Sequence, residues 1–194
     1  MYYPIIIENY NPQWAINFQA LKSKLLTAVA PYILEIQHVG STSIPDLAAK
    51  PILDVDIIID PNQDLAPIIQ ALDNLGYNHL GDLGIEKREA FRQRSPEVPY
   101  GKEKNQENWQ RHNLYVCPKG CLSLENHLRF RDFLLQHPEA IQEYATLKKG
   151  LAQQFPNNVD LYCEAKTEFI TNVLSKTGID TADLEDISQQ NKVE

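Results

Sequence analysis

Apolar positions recur along this chain with two periods, and the switch between them lays out a mixed αβ fold. Trp14, Phe18, Leu21, Leu25 and Val29 fall three and four residues apart, forming one stripe on a helix predicted from Pro12 to Ala30. Ile33 to Val39 and Pro51 to Ile59 are rich in β-branched residues and read as strands. Strand side chains alternate between faces, so Asp54, Asp56 and Ile58 share one face while Leu53, Val55, Ile57 and Ile59 form the apolar other. A helix from Pro61 to Leu75 closes on Gly76 in the C′ position. Tyr77 to Leu80, Ala90 to Arg94 and Arg111 to Cys117 then read as antiparallel strands. Between the last two lies the longest structureless stretch, Ser95 to Asn108, of a length often functional or mobile. Helices over Leu122 to Gln136, Pro138 to Phe155 and Asp160 to Ser175 complete the fold. Ile141, Tyr144, Leu147, Leu151 and Phe155 stripe the middle one, and Gly178 follows the last. The expectation is an α+β domain over residues 1–178, with a sheet-bearing core to about 120 and a C-terminal helical cap over 121–178.

Composition changes this picture little. A chain of 194 residues with 43% apolar content can bury one substantial core, and nothing demands a second domain. The formal charge of −8 argues against general affinity for nucleic-acid backbones, which needs a basic surface. Half of that charge comes from Asp180, Asp183, Glu185, Asp186 and Glu194, opposed only by Lys192, in an acidic tail over 179–194 expected to be frayed or loosely docked. The chain has neither an apolar run of about eighteen residues nor a basic, apolar start, so no membrane partner is expected and a cytoplasmic location is the default. Cys117, Cys121 and Cys163 suit a reducing compartment. No second Cys/His pair completes a zinc site with the first two.

The chemistry concentrates in Gly40-Ser41-Thr42-Ser43 and, ten residues on, Asp54-Val55-Asp56. Adjacent carboxylates on one strand face within an apolar run cost several kcal/mol if left unpaired, so a cation is expected there. Mg²⁺ (or Mn²⁺) suits the donors, because it takes hard oxygen ligands from one or two carboxylates and fills its other positions with water and phosphates. The turn supplies the complement, since successive backbone N–H groups with hydroxyls form an anion-binding concavity. Solvated aspartates and an ordinary serine-rich turn are the bland alternative, less favoured for the two features in this order with Lys50-Pro51 between them.

His38-Val-Gly-Ser-Thr-Ser-Ile-Pro45 followed by Leu47-Ala-Ala-Lys50-Pro-Ile-Leu-Asp54 resembles the signature of the GrpB family. Further matches are Arg88-x-x-Phe91, His112-Asn-Leu-Tyr-Val116, Arg131-Asp-Phe-Leu134, His137-Pro-Glu139, Tyr144-x-x-Leu147-Lys148 and Tyr162-x-x-x-Lys166-x-x-Phe169-Ile170. The resemblance implies a fold similar to the nucleotidyltransferase (polymerase-β-like) superfamily, whose pattern is Gly-Ser followed by Asp-x-Asp. It implies a nucleoside triphosphate or phosphorylated small molecule as partner, and transfer of a nucleotidyl group to a small-molecule or protein acceptor. Gly40 to Ser43 would hold phosphates, and Asp54 and Asp56 a metal. The alternative is a degenerate module that binds a nucleotide or a coenzyme-A-related phosphometabolite, since domains of this kind are found fused to dephospho-coenzyme-A kinases.

Active members of the superfamily usually place a third carboxylate on a later strand. Arg111 to Cys117 carries none. Either His112 faces the site as ligand or proton carrier, or Asn113 and Tyr115 face it as hydrogen-bonding groups. Glu86, Glu89 and Glu107 are other substitutes. His38 could bind phosphate or hold the turn, and Lys50 could neutralise phosphate or pair with the acids. Arg88 and Arg92 suit bidentate phosphate recognition. Tyr162 and Lys166, four apart on one helix, and Lys148 on the preceding helix would face the core from the cap, with a snorkelling surface lysine as the alternative for Lys166. Arg131-Asp132 reads as an ion pair orienting the cap.

Overall fold

The structure is a computed structural model that describes residues 4–101 and 108–192. Helix α1 (Gln13–Val29) precedes β1 (Glu35–Val39), and a single 3-10 turn over Ser41–Ser43 leads towards β2 (Leu53–Ile59). Helix α2 (Ala66–Asn74) is followed by β3 (Tyr77–His79), β4 (Glu89–Gln93) and β5 (His112–Pro118). The cap contains α3 (Leu122–Gln136), α4 (Pro138–Gln154), α5 (Val159–Glu164) and α6 (Thr167–Ser175), and α7 (Thr181–Gln190) follows it.

The five strands form one sheet in the order β1-β2-β5-β4-β3. The expectation of antiparallel pairing holds for β3 with β4 and β4 with β5, but β5 runs parallel to β2. The sheet is therefore mixed. This pairing sets Asp54 beside Asn113 and Asp56 beside Tyr115.

One sheet face carries the predicted apolar set. Leu53, Val55, Ile57 and Ile59 join Trp14, Phe18, Leu21 and Leu25 of α1 and Ile68 and Leu72 of α2 in the main core. Burying a large aliphatic side chain of this kind contributes roughly 1.5–3 kcal/mol, so this face anchors β2 and fixes which way its acids point. On the opposite face Ile58 packs with Cys117, Cys121 and Leu124, bringing α3 across the strand ends. A second core holds the cap, with Phe130, Leu134, Ile141, Tyr144 and Leu174 packed around Ile44 and Leu47 of the segment after the turn.

Three boundaries depart from expectation. Helix α2 begins at Ala66 rather than Pro61, because the Asp60 and Asp64 carboxylates accept from the backbone of Asn62 and Ala66 and hold residues 60–65 as turns. The helix predicted over 160–175 is two helices, α5 and α6, with Lys166 at the junction. The acidic tail is ordered as α7: Asp180 caps it by accepting from Asp183 N at 2.9 Å, and buried Ile187 docks it on the cap core. Among the described residues no helix is long and apolar enough to cross a membrane.

Candidate functional site

Gly40 leaves β1 with φ of 65°, a left-handed conformation that favours glycine. A Cβ at this position would also collide with the Asp54 carboxylate. The turn and the acid are thus in direct contact, and a side chain at residue 40 would separate them. Two of the turn's hydroxyls, however, are committed to the fold. Thr42 is buried and bonds His38 Nε2 at 3.0 Å and the Ile52 carbonyl at 3.3 Å, while Ser43 Oγ donates to the Gly40 carbonyl at 2.6 Å. The expectation that Thr42 and Ser43 offer hydroxyls to a ligand is corrected accordingly. Ser41 Oγ remains, and it accepts from Lys148 Nζ at 2.9 Å.

His38 takes the structural option. Its ring stacks on Phe18 with centroids 4.5 Å apart, and burial, followed by the charge of Arg131, holds its pKa down to about 4. Arg131 joins cap to core more directly than an ion pair alone: besides Asp132 it donates to Gln37 Oε1 at 2.7 Å and to the His38 carbonyl at 3.0 Å.

The paired acids share a face as expected, each with one oxygen engaged. Asp54 Oδ1 accepts from Asn113 Nδ2 at 2.7 Å, and Asp56 Oδ2 contacts His127 Nδ1 at 2.8 Å. Asp56 is fully buried and its Oδ1 has no hydrogen-bond partner among the described residues. A carboxylate oxygen in that state is costly unless a cation or donor approaches it. Burial raises the Asp54 pKa, against the opposing Asn113 hydrogen bond and His127 charge. Burial alone would depress the imidazole of His127, but the charge and hydrogen bond of Asp56, with the charge of Asp54, raise it.

Beside Asp54 on β5 stands Asn113, with Tyr115 next on the same face, so this strand brings hydrogen-bonding groups and no carboxylate to the acids. His112 points the other way. It is buried against Tyr77, whose hydroxyl lies 2.6 Å from Nε2, and its Nδ1 lies 2.9 Å from the Gln110 carbonyl. Burial, partly offset by that carbonyl, lowers its pKa to about 4. Strand alternation accounts for the correction: residue 112 faces the main core because 113 and 115 face the acids. Neither glutamate substitutes. Glu89 bonds His79 at 2.6 Å and Glu86 is an exposed partner of Lys87, while Glu107 lies outside the described residues. Among the described residues no three His, Cys, Asp or Glu side chains form a metal-holding group, at the cysteines or at the acids.

Two cavities meet at Ser41, Asp54 and Lys166. The first, about 200 Å³, is lined by Lys50, Lys148, Lys166 and Tyr162. Lys50 and Lys166 place their ammonium groups 5.3 and 4.5 Å from the Tyr162 ring centroid. No ion pair neutralises any of the three lysines among the described residues. Burial and then the neighbouring Lys166 charge lower Lys148 to about 6, and burial also lowers Lys166. A multiply charged anion would relieve this repulsion. Lys166 is thus no snorkelling surface residue, although the helix break moves it off the helix that carries Tyr162.

The second cavity, about 240 Å³, is lined by Arg88, Tyr115, Asn126 and His127, and by Gln190 and Asn191 at the end of α7. Arg88 lies over the Tyr115 ring at 4.6 Å, its Nε buried without a hydrogen-bond partner among the described residues. Arg92 lines neither cavity. His127 and Asn126 escaped sequence reasoning. The signal was the helical spacing of Ser123, Asn126, His127 and Phe130, one face of α3 now found on the cavity wall.

Fold and site define an α+β protein in which half-buried Asp54, beside a glycine-serine turn, lines both cavities under a helical cap, while its buried neighbour Asp56 lines neither. The GrpB protein family model matches residues 4–176, and the chain belongs to that family. The UPF0157 protein YqkA of Bacillus subtilis is 35% identical over 161 residues, 83% of this chain, and the chain spans only 43% of that relative's length. It likewise spans 43% of a dephospho-CoA kinase of Mycolicibacterium paratuberculosis, 25% identical over 84% of this chain. The crystal structure of the conserved protein GrpB from Enterococcus faecalis matches with a TM-score of 0.73 at 27% identity, covering 93% of this chain and 98% of that one. A more distant likeness, to the Cid1 poly(U) polymerase bound to MgATP, has a TM-score of 0.44 at 14% identity over 74% of this chain and 45% of that one.

Proposed function

We propose that this protein binds a nucleoside triphosphate and transfers its nucleotidyl group to a hydroxyl or amine acceptor. The observation that carries the reading is the junction of the two cavities, where Lys148 donates to Ser41 at 2.9 Å beside Asp54 and three lysines have no salt-bridge partner among the described residues. Lys50, Lys148 and Lys166 would offset part of the charge of a triphosphate, whose approach favours the protonated lysines that burial disfavours, and the Ser41 turn supplies short-range donors.

The donor set fits Mg²⁺ or Mn²⁺ held by Asp54 and Asp56, because Asp56 Oδ1 has no hydrogen-bond partner among the described residues and such an ion needs only one or two carboxylates with phosphate oxygens. When bound, the ion would neutralise charge developing on the transferred phosphoryl oxygens. The chain's own residues do the rest. Asn113 orients Asp54, His127 orients Asp56, and the lysines hold the leaving pyrophosphate in place. Water as acceptor would turn the same groups to phosphate hydrolysis.

One observation favours a second reading, a module that binds a nucleotide or coenzyme-A-related phosphometabolite without turnover: β5, which pairs with the acid-bearing strand, sets Asn113 and Tyr115 beside the acids and brings no carboxylate. The two separate experimentally. Calorimetry with ATP, CTP, GTP and coenzyme A precursors, run beside a pyrophosphate-release assay with Mg²⁺ or Mn²⁺, is expected to show binding and release for at least one triphosphate. Binding without release selects the module, and absence of both overturns the site.

A further inference from the structure

Helix α7 lies beyond residues 4–176, the segment matched by the family model, yet it walls the second cavity. Ile187, 2% exposed, seats the helix in the cap core, so Gln190 and Asn191 hold fixed places on that wall. The nitrogen end of each amide is tethered within α7. Gln190 Nε2 donates to Asp186 at 2.9 Å, and Asn191 Nδ2 to the Ile187 carbonyl at 3.0 Å. Both side-chain carbonyl oxygens are left without a partner among the described residues, on two residues that line this cavity, Gln190 also bordering a neighbouring one. Across the same cavity lies the planar guanidinium of Arg88, one face on Tyr115 and its Nε without a hydrogen-bond partner among the described residues. Phosphates are better served by the lysine cavity, whereas a guanidinium plane and amide acceptors are the groups that stack on a nucleobase and read its edge.

We infer that the second cavity is the nucleobase subsite and that α7 gives it selectivity for bases bearing an exocyclic amino group, through acceptance of the amino hydrogens by Gln190 and Asn191. The inference rests on the triphosphate reading above and adds the class of base. Adenine and cytosine carry an amino group where hypoxanthine and uracil carry a carbonyl, and a carbonyl set against two acceptors leaves every oxygen unpaired.

The test is calorimetric titration of the full chain with ATP against ITP, CTP against UTP, and inorganic tripolyphosphate, with the wild type and a Gln190→Leu/Asn191→Leu variant. ATP and CTP are expected to bind wild type about 3- to 10-fold more tightly than ITP and UTP per hydrogen bond gained, with the ratio falling towards one in the variant. Equal wild-type affinities within each pair, with tripolyphosphate still bound, overturn the inference and leave the triphosphate reading standing. A ratio that persists in the variant removes the role of α7. If neither the nucleotides nor tripolyphosphate binds, both readings fall. The wild-type ratios decide the matter even if the variant is unstable.

Discussion

If the protein transfers nucleotidyl groups as proposed, Asp54→Asn is expected to lower metal-dependent pyrophosphate release by about 10²- to 10³-fold, the cost of removing a few kcal/mol of transition-state stabilisation. The substitution is isosteric, and the amide oxygen can still accept from Asn113 Nδ2, now at 2.7 Å. The contact with Gly40 is also retained, so the fold should survive while the charge is lost. Initial rates for wild type and variant across a Mg²⁺ series, with thermal melts as a folding control, check this. A variant rate within about threefold of wild type would remove Asp54 from the chemistry.

His127→Ala destabilises the metal-free protein by about 2–4 kcal/mol, below the usual range for breaking a buried pair because the imidazole is still 24% exposed. Its loss leaves the buried Asp56 carboxylate without a donor on either oxygen. For a domain of this size that corresponds to a fall in melting temperature of roughly 4–16 °C. The pH dependence has a definite sign. The folded pKa of His127 is raised above its ordinary 6.5, so the stabilisation from its proton is complete below that value and is lost as pH rises through the higher folded pKa. The gap in melting temperature between wild type and variant, recorded in EDTA, should therefore be widest near pH 6 and narrow in alkaline buffer. An equal gap at every pH would show that the ring contributes packing alone.

Much of this fold was legible because its signals are local. The α1 stripe, the alternation along β2 and the glycine after α2 each lie within a few residues, and all appear as expected. The same holds for the heart of the site, where Gly40, Ser41 and Asp54 sit close in sequence and two adjacent strands bring them together. Other features depend on pairings that no short window contains. The side of the sheet reached by residue 112 follows from β5 lying parallel beside β2, and His127 meets Asp56 across 71 residues. The break between α5 and α6 was hidden because Tyr162, Phe169 and Val173 continue an apolar pattern through it. The tail's charge concealed its few apolar residues: buried Ile187, with partly buried Ile179 and Leu184, docks α7 on the cap core.

The central claim is that Asp54 and Asp56 hold one divalent ion jointly with a triphosphate. Electron paramagnetic resonance titration of Mn²⁺, with and without a nonhydrolysable ATP analogue, tests it directly. The account predicts one protein-bound Mn²⁺ whose affinity rises with the analogue, and loss of that site in Asp54→Asn and Asp56→Asn. Mn²⁺ binding that is unchanged in both variants, or indifferent to the analogue, would contradict it.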